Sequence, residues 1–516
     1  MPESPFGERW PEWLRQRALL SPEHPAVIFG AEMWSFAELD RLVSACSARL
    51  AAAGVRAGDR VALLARNGGG FVQVAHAVPR LGAALVPLNV RLTAGELSRQ
   101  VRDCGAGLLV TDEPNAAKAA DVEGLLAGLR CLPMTELRQR LNGEAVEGLD
   151  QVEGSALHSI VYTSGTSGRP KGAMLTFDNH LWSAVGSALN LGLHSDDRWL
   201  ACLPLFHVGG LAILLRSVIY GIPAVLHDGF DPVAVNRSID EDGVTIVSVV
   251  SNMLLRMLEV RGNRPYPANL RCVLVGGGPV PQPLLEECAR RGVPVAQTYG
   301  LTEAASQVAT LTPQDALRRL GSAGKPLLPT EVRIEGEDGR ALPPGQAGEI
   351  VVRGPTVTPG YFNLPNETLR TLRNGWLHTG DIGYLDSDGH LYVLDRREDL
   401  IVSGGENVYP AEVEAVLESH PAVREAGVIG FPDERWGQRV VATVVPRDGT
   451  GISEQELLTF CRSRLAAYKM ATRLLFAWEL PRNAAGKLLR HALREQSTGG
   501  APLPRSNARA TGPAKP

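Results

Sequence analysis

The stretch from residue 163 to residue 172 constrains the fold of this chain more than any other. It reads TSGTSGRPKG and holds three glycines, four hydroxyl side chains and one lysine. The β-branched and aromatic residues 159–162 before it predict a short strand. A strand that runs into such a loop offers backbone N–H groups, hydroxyl donors and a cation together, which suits the oxygens of a polyphosphate. A Walker A loop is excluded because Pro170 precedes Lys171 and Gly172 follows it. The alternative is a flexible surface loop.

Length and composition indicate a soluble protein with more than one domain. The chain has 516 residues, of which 44% are hydrophobic and 21% charged. A formal net charge of −4 argues against a nucleic-acid partner. The seven cysteines form no C-x-x-C pair, which indicates reduced thiols in a cytoplasmic protein. No membrane insertion is predicted, because the most apolar stretch, residues 203–226, is interrupted by His207, Arg216 and Pro223.

The N-terminal part alternates strand and helix patterns. Apolar runs at residues 26–29, 60–64 and 84–87 predict strands. Ser35, followed three residues later by Glu38, predicts a capped helix start. Strand–helix–strand alternation predicts a parallel sheet covered by helices on both faces.

The C-terminal part predicts two further units. Residues 325–394 are rich in Gly, Pro and β-formers and predict a β-rich subdomain. After the charged residues 395–399, a helix starting near Pro410, two strands and a helix over residues 454–465 predict a separate α+β unit. The fold class is therefore α/β plus α+β. We predict an N-terminal domain with parallel or mixed sheets over residues 1–395, a small C-terminal domain over residues 396–496 and a disordered tail over residues 497–516.

An apolar helix pattern carries two polar residues that are candidates for a pocket. His207 precedes the paired glycines Gly209 and Gly210, which allow close approach of backbone or ligand; the alternative is a satisfied core histidine. Arg216 lies nine residues further on in the same apolar segment. A buried arginine needs an anion, so Arg216 predicts either a structural carboxylate or a carboxylate of a substrate.

Three further segments have the composition of nucleotide contacts. A glycine turn at residues 276–278 follows a predicted strand, and YGLTE at residues 299–303 follows another. Ligands collect at such strand ends in doubly wound sheets, although an ordinary turn is an alternative. Asp381 follows a Thr-Gly pair and is either a turn former or an acceptor for ribose hydroxyls.

Six segments, taken in order, resemble the acyl- and aryl-CoA synthetases of the adenylate-forming superfamily, which also includes luciferases and peptide-synthetase adenylation domains. They are TSGTSGRPKG, PLFHVGG, YGLTE, TGD, DRRED with SGGENVYP, and PRNAAGKLLR. The resemblance covers residues 20–495. It implies that a carboxylate attacks MgATP to give an acyl-adenylate and pyrophosphate, and that CoA then displaces AMP. It also implies a mobile C-terminal domain that swings between the two steps about Glu398.

The resemblance assigns roles residue by residue. The phosphates would be held by Thr163, Ser164, Gly165, Thr166, Ser167, Gly168 and Lys171. Adenine would lie between Tyr299, with Gly300, and the turn formed by Gly276, Gly277, Gly278 and Pro279. Thr302 would contact the α-phosphate, Glu303 would bind Mg²⁺, and Asp381 and Arg396 would hold the ribose. Lys487 would be the adenylation lysine, and His207 would either position the reacting carboxylate or gate the pocket. Ser403, Gly404 and Gly405 would line the tunnel for CoA.

Three of the longer segments are FHVGGLAILLRSVIYG, LGSAGKPL and DRREDLIVSGGENVYPAEVE. Within the superfamily, they most resemble the branch of CoA ligases that activates o-succinylbenzoate. That acid carries a second, aromatic carboxylate, for which Arg216 is the candidate partner, with Ser306 and Gln307 as polar contacts. The alternatives are a ligase for another aryl or medium-chain acid and a non-catalytic nucleotide-binding protein. The expected partners are therefore a small carboxylic acid, ATP and CoA, with a homo-oligomer possible and no nucleic acid.

Overall fold

The computed structural model describes residues 9–137, 148–163, 170–278, 280–316, 318–396, 399, 401–403, 406–408, 410–433, 437–462, 464–465, 467–483, 486 and 488–498. The chain divides into two compact units, Met1–Val393 and Leu394–Pro516. None of the helices within the described ranges is both long and apolar enough to cross a membrane.

The first part of the larger unit alternates strands and helices. Its elements are β1 (Arg9–Pro11), α1 (Trp13–Leu20), β2 (Pro25–Phe29), β3 (Glu32–Ser35), α2 (Phe36–Ala52), β4 (Arg60–Leu64), α3 (Gly69–Arg80), β5 (Ala84–Pro87), α4 (Ala94–Cys104), β6 (Leu108–Thr111), α5 (Ala116–Gly124), β7 (Arg130–Pro133), α6 (Met134–Leu137), β8 (Gln151–Glu153) and β9 (Leu157–Thr163). The predicted capping box is confirmed, because the Glu38 N–H donates to Ser35 Oγ and the Ser35 N–H donates to the Glu38 carboxylate.

The second part of this unit continues the alternation and ends in a hairpin. Its elements are β10 (Lys171–Thr176), α7 (Phe177–Leu191), β11 (Trp199–Ala201), α8 (Val208–Tyr220), β12 (Ala224–Leu226), α9 (Pro232–Glu241), β13 (Ile246–Val249), α10 (Ser251–Arg261), β14 (Cys272–Val275), α11 (Gln282–Arg290), β15 (Val295–Leu301), β16 (Ser306–Leu311) and β17 (Lys325–Pro326).

Strands β1 and β8 pair with each other in an antiparallel ribbon, and the other strands form two mixed sheets. The six-stranded sheet has the order β10-β9-β5-β4-β6-β7, and the nine-stranded sheet has the order β17-β16-β15-β14-β13-β11-β12-β2-β3. The inner strands of both are parallel, while β10, β16, β17 and β3 pair antiparallel at or near the edges. Strands such as β6, β13 and β14 are buried along their whole length, as expected for parallel strands covered on both faces.

Strand β2 does not belong to the same sheet as the strands that follow it in the sequence, contrary to the prediction from the strand–helix alternation. The pattern grouped residues 26–29 with the strands that follow, but β2 pairs with β12 in the nine-stranded sheet, whereas β4 and β5 pair in the other. One hydrophobic core includes Val61 and Leu85 from one sheet and Trp199 and Ala224 from the other. Chain order alone does not decide pairing, because burial is optimised across elements that lie far apart in sequence.

The β-rich subdomain predicted for residues 325–394 is confirmed. It contains β18 (Glu331–Glu335), β19 (Gly348–Arg353), α12 (Pro365–Thr371), β20 (Leu372–Arg373), β21 (Trp376–Leu385) and β22 (Leu391–Arg396). The strands form an antiparallel sheet in the order β18-β19-β21-β20, with β22 also paired to β21. Residues 325–326 belong instead to β17 of the nine-stranded sheet.

The smaller unit is an α+β structure with its own core. It contains β23 (Ile401–Ser403), β24 (Glu406–Val408), α13 (Pro410–Glu418), β25 (Val423–Asp433), β26 (Gly437–Pro446), α14 (Glu454–Arg462), β27 (Arg473–Phe476) and α15 (Arg490–Thr498). The helix start at Pro410 is confirmed. Helix α14 ends three residues before the predicted residue 465. Helix α15 runs to Thr498, so residues 497–498, predicted to be disordered, are helical.

Buried polar groups lie between neighbouring elements of the larger unit. Arg80 is 1% exposed, and its Nη2 lies 2.7 Å from Glu12 Oε2 and 2.6 Å from Asp40 Oδ1. His158 and His180 form a second group of buried polar side chains, and the centroids of their rings lie 4.7 Å apart. Both are buried without an acidic partner among the ion pairs of the described residues, so they are neutral.

We expect the buried histidines to make stability fall at mildly acidic pH. Burial lowers the pKa of His76 and of His180 to about 3, against an ordinary value of 6.5, and lowers that of His158 as well. Above the unfolded-state pKa these groups are neutral in both states. Below it the unfolded chain takes up protons that the native state refuses, so stability is lost as pH falls from 6.5 towards 3. Each histidine can cost up to about 1.4 kcal/mol per pH unit.

Urea unfolding at about pH 7.5 and about pH 5.5 measures this effect. His180→Gln should reduce the difference between the two midpoints, whereas the same change at the exposed His194 should not. An identical pH dependence in both variants would contradict the assignment.

Candidate functional site

The glycine-rich stretch connects two paired strands. It leaves β9 at Thr163 and enters β10 at Lys171, and these two residues face each other in an antiparallel pair. Thr163 Oγ1 lies 3.5 Å from the Lys171 carbonyl oxygen. Five predicted phosphate contacts, Ser164, Gly165, Thr166, Ser167 and Gly168, lie outside the described residues. The pairing therefore brings the two ends of the stretch together.

The Lys171 ammonium lies in a partly buried polar position. Its Nζ is 2.7 Å from Glu367 Oε2 and 5.4 Å from the centroid of the Tyr361 ring. The other carboxylate oxygen of Glu367 accepts a hydrogen bond from Arg370 at 3.0 Å. The predicted phosphate-binding cation is thus held by an acidic side chain and lies over an aromatic face.

The YGLTE segment forms the end of a strand and the turn of a hairpin. Strand β15 continues through Leu301, a single 3-10 turn follows over Thr302–Ala304, and the chain returns as β16. The segment is therefore not the ordinary strand-to-helix turn considered as an alternative. Gly300 is required here, because a Cβ would lie 1.7 Å from the Ser306 carbonyl oxygen.

Two hydrogen bonds tie this hairpin to neighbouring elements. The Tyr299 hydroxyl donates to Asp381 Oδ2 at 2.7 Å, which joins β15 to β21. The Tyr361 hydroxyl donates to Glu303 Oε1 at 2.8 Å, and burial followed by the Glu303 charge raises the pKa of Tyr361. The structure thus brings Tyr299, Asp381 and Glu303, predicted as nucleotide and metal contacts, to one region with Lys171 through Tyr361.

The predicted glycine turn lies beside this region on the adjacent strand. Gly276 and Gly277 follow β14, which pairs with β15. A Cβ at Gly276 would lie 2.8 Å from Thr298 Cγ2, and Gly277 has a φ of +78°, which favours glycine. Gly278 has open space around its Cα, and Pro279 lies outside the described residues. A planar group beside Tyr299 would meet backbone here rather than side chains.

Arg216 is a buried cation on α8. It is 2% exposed, its Nη2 donates to Ser183 Oγ at 3.2 Å, and its guanidinium lies 5.4 Å from the centroid of the Trp199 ring. Its Nε is buried without a hydrogen-bond partner, and no acidic side chain pairs with it in the described part of the chain. The structural carboxylate considered as an alternative is therefore not found among these residues.

Ser183 connects Arg216 to the hairpin. The Ser183 hydroxyl donates to the Ala305 carbonyl oxygen at 2.6 Å. Ala305 and Ser306 have φ values of 51° and 105°. The next residue, Gln307, is 3% exposed, and its Nε2 donates to Thr310 Oγ1 at 3.2 Å, while its Oε1 is buried without a partner. The residues predicted to contact the acid thus adjoin the residues predicted to contact the nucleotide.

His207 is the N-cap residue of α8. Burial, and then the Arg91 charge, lowers its pKa to about 4. Its Nε2 is buried without a hydrogen-bond partner. At neutral pH His207 is therefore an uncharged imidazole that can donate to or accept from a bound group.

The predicted residues of the smaller unit are only partly described. Ser403 ends β23 and pairs with Glu406 and with Gly437. Arg396 is the last residue of β22, and only its backbone belongs to the described part of the chain. The remaining predicted residues, Glu398, Gly404, Gly405 and Lys487, lie outside the described residues. Arg482 and Leu488, which flank these positions in the sequence, form an antiparallel β-bridge.

The sequence reasoning missed Ser183, Tyr361 and Glu367. Glu367 contacts a lysine 196 positions earlier in the chain, and Ser183 contacts an arginine 33 positions later. Neither has a local pattern that marks it as part of a site. The only available signal was the polar GYFNLPNET segment shortly before the TGD motif.

Comparison with known proteins gives concordant results. Residues 14–362 match the family described as AMP-binding enzyme, and residues 412–487 match the AMP-binding enzyme C-terminal domain. A 2-succinylbenzoate–CoA ligase of Geobacillus kaustophilus is 52% identical over 487 residues, which are 94% of this chain and 97% of that protein. A 2-succinylbenzoate–CoA ligase of Bacillus cereus is 50% identical over 95% of this chain and 98% of its own length.

Solved structures agree with the sequence matches. The o-succinylbenzoate CoA synthetase of Bacillus subtilis in complex with the acyl-adenylate intermediate OSB-AMP has a TM-score of 0.89 and 46% identity, covering 94% of this chain and 98% of that one. The same enzyme in complex with ATP and a magnesium ion has a TM-score of 0.89 and 45% identity, covering 94% of this chain and 100% of that one. The resemblance seen in the sequence is thereby confirmed, and the chain belongs to the AMP-binding enzyme family.

Proposed function

We propose that this protein is an ATP-dependent CoA ligase that converts 2-succinylbenzoate, through an acyl-adenylate, to its CoA thioester, with release of pyrophosphate and AMP. The relatives with this name match almost the whole chain. The observation that carries the choice of acid is Arg216, a buried guanidinium with no acidic partner in the described part of the chain. A substrate with a second carboxylate supplies the anion that a buried arginine requires.

The proposed nucleotide contacts follow the geometry of the hairpin. Tyr299 and the Gly276–Gly278 turn flank the adenine, Asp381 accepts from the ribose, and Lys171 contacts the phosphates. Tyr299 fixes the Asp381 carboxylate through its hydroxyl, which reduces the freedom that this acceptor loses on binding.

The carboxylate chemistry of the site fits Mg²⁺. Glu303 presents the hard oxygen donor that Mg²⁺ prefers, and Thr302 lies next to it in the same turn. When bound, the ion neutralises charge on the phosphates. Glu303 is the residue that would hold it, with Tyr361 orienting the carboxylate from the other side.

The acid is positioned by groups around α8 and the hairpin. Arg216 binds the aromatic carboxylate, and Ser306 and Gln307 provide polar contacts. The neutral His207 at the start of α8 orients the succinyl carboxylate, which is the group that attacks the α-phosphorus. Because no acyl-enzyme forms, these residues act by orientation and by charge stabilisation.

The smaller domain, proposed over residues 396–496, supplies the remaining groups. Lys487 stabilises the charge where the carboxylate meets phosphorus, Arg396 assists at the ribose, and Glu398 is the hinge. Ser403, Gly404 and Gly405 line the path of CoA. We place the enzyme in the cytoplasm, where ATP and CoA are available, and a homo-oligomeric state stays a prediction for light scattering to test.

A substrate panel tests the proposal directly. Pyrophosphate release and thioester formation are measured with MgATP, CoA and each of 2-succinylbenzoate, 4-oxo-4-phenylbutanoate, benzoate and octanoate. We expect a strong preference for 2-succinylbenzoate. Preference for benzoate or octanoate would support a ligase for another acid, and nucleotide binding without turnover of any acid would support a non-catalytic protein.

Arg216→Met should lower activity on 2-succinylbenzoate and, at the same time, raise the stability of the fold. We expect kcat/KM for 2-succinylbenzoate to fall about 10- to 100-fold, the range for losing a charged hydrogen bond. Turnover of 4-oxo-4-phenylbutanoate, which lacks the aromatic carboxylate, should change little. The free energy of unfolding should rise by about 1–3 kcal/mol, because an unpaired buried charge is replaced by an apolar side chain of similar length.

Arg261→Met is the matched control for the stability part. Arg261 is 4% exposed but is paired with both carboxylate oxygens of Asp240. Its loss should destabilise the protein. Equal losses on both acids in Arg216→Met would refute the assignment of Arg216 to the aromatic carboxylate.

Lys487→Ala should affect the two half-reactions differently. Adenylate formation should fall by about 10²–10³ in rate, the typical cost of one charge-stabilising group. Thioester formation from supplied acyl-adenylate should be largely retained, because Lys487 serves only the first step. Rapid-quench measurement of each half-reaction decides the matter, and a parallel loss of both would exclude this role.

A further inference from the structure

The Lys171 ammonium of the proposed phosphate site already has a negatively charged partner in the structure. Glu367 Oε2 lies 2.7 Å from Lys171 Nζ. No role in the proposed reaction has been assigned to Glu367. In the proposed reaction, Glu367 and the phosphates of ATP would therefore both be partners of the same ammonium group.

The backbone places Glu367 opposite Lys171 with little freedom. The segment before it runs along β10, with the Met174 N–H donating to the Gly360 carbonyl at 3.0 Å and the Phe362 N–H donating to the Gly172 carbonyl at 2.8 Å. Glu367 then lies in the first turn of α12. Lys171 is the first residue of the same β10. The backbone hydrogen bonds between β10 and residues 360–362 therefore fix the distance between the two side chains.

The charges and exposure of the pair allow another anion to replace Glu367 at Lys171. The hydrogen bond from Lys171, and then its charge, lowers the pKa of Glu367, so the carboxylate is ionised at neutral pH. The side chains retain 16% exposure for Lys171 and 29% for Glu367. Solvent and salt therefore reach both charged groups and weaken the pair by screening. A polyphosphate with several negative charges can therefore displace Glu367 from Lys171.

Glu367 has a second cationic partner besides Lys171. Its Oε1 lies 3.0 Å from Arg370 Nη1. Because the Lys171–Glu367 ion pair must break before Lys171 binds a polyphosphate, Glu367 weakens that binding, and it offers Lys171 a partner once the polyphosphate leaves.

We infer that Glu367 is a positioning residue that competes with polyphosphate for Lys171 and thereby favours release of pyrophosphate after adenylation. This inference rests on the proposed function, because it requires that Lys171 contacts the phosphates of ATP. Glu367 acts only through Lys171 and touches no reacting atom.

The test is calorimetric titration of the full-length protein with magnesium pyrophosphate and, separately, with MgATP, in the absence of acid and CoA. Glu367→Gln keeps the size of the side chain and removes its charge. We expect the dissociation constant for pyrophosphate to fall about fivefold, the size of one exposed ion pair. The inhibition constant of pyrophosphate in turnover should fall by the same factor. A purely structural role would weaken binding or leave it unchanged.

Two control variants make the result specific. Glu331→Gln removes an equivalent charge from an ion pair with Arg353 in the β-rich sheet and should leave both affinities unchanged. In a Lys171→Gln background, Glu367→Gln should no longer tighten pyrophosphate binding, because the competed cation is gone.

Each outcome supports or overturns the inference. Tighter binding in Glu367→Gln that disappears in the double variant supports it. Unchanged or weaker binding in Glu367→Gln overturns it, and so does tightening that persists without Lys171. If the wild-type protein binds MgATP while Glu367→Gln has no effect, only this inference fails. If the wild-type protein does not bind MgATP, the proposed function fails and the inference fails with it.

Discussion

The β15–β16 hairpin is the constraint on which the candidate site depends. Its close turn exists only because Gly300 has no Cβ, since one would lie 1.7 Å from the Ser306 carbonyl oxygen. From this turn, Tyr299 reaches Asp381 and Glu303 reaches Tyr361, while the Ala305 carbonyl accepts from Ser183. The groups proposed for nucleotide, metal and acid are thus arranged by one short piece of backbone, so a change in the turn would disturb all three together.

Buried charges in the larger unit differ in whether the fold supplies their counter-charge. Arg80 is buried with Glu12 and Asp40, and its charge is compensated within the fold. Arg216 is buried to a similar degree, yet it pairs with no acidic side chain among the described residues. An uncompensated buried charge lowers stability, and such costs concentrate at binding sites because the ligand supplies the missing partner. The same contrast explains why burial alone does not identify a functional arginine.

Sequence patterns were reliable where the signal was local. The structure has three such features as predicted: the strand over residues 60–64, the Ser35 cap and the helix start at Pro410. Each depends on residues that are only a few positions apart in the sequence. The place of β2 in the nine-stranded sheet, and the contact of Glu367 with Lys171, had no such signal. They arise from pairing between segments far apart in the chain, which composition and periodicity do not encode.

The sequence by itself determined the family, the order of the motifs and the identity of the chemical groups available, because each motif is a short run of particular residue types. The tertiary structure decided which of those groups meet and what holds them. It placed Tyr299 on Asp381, connected Arg216 through Ser183 to the hairpin, and gave Lys171 an acidic partner. The physical reason is that hydrogen bonds and ion pairs act over a few ångströms, whereas the residues that form them here are separated by tens to hundreds of positions along the chain.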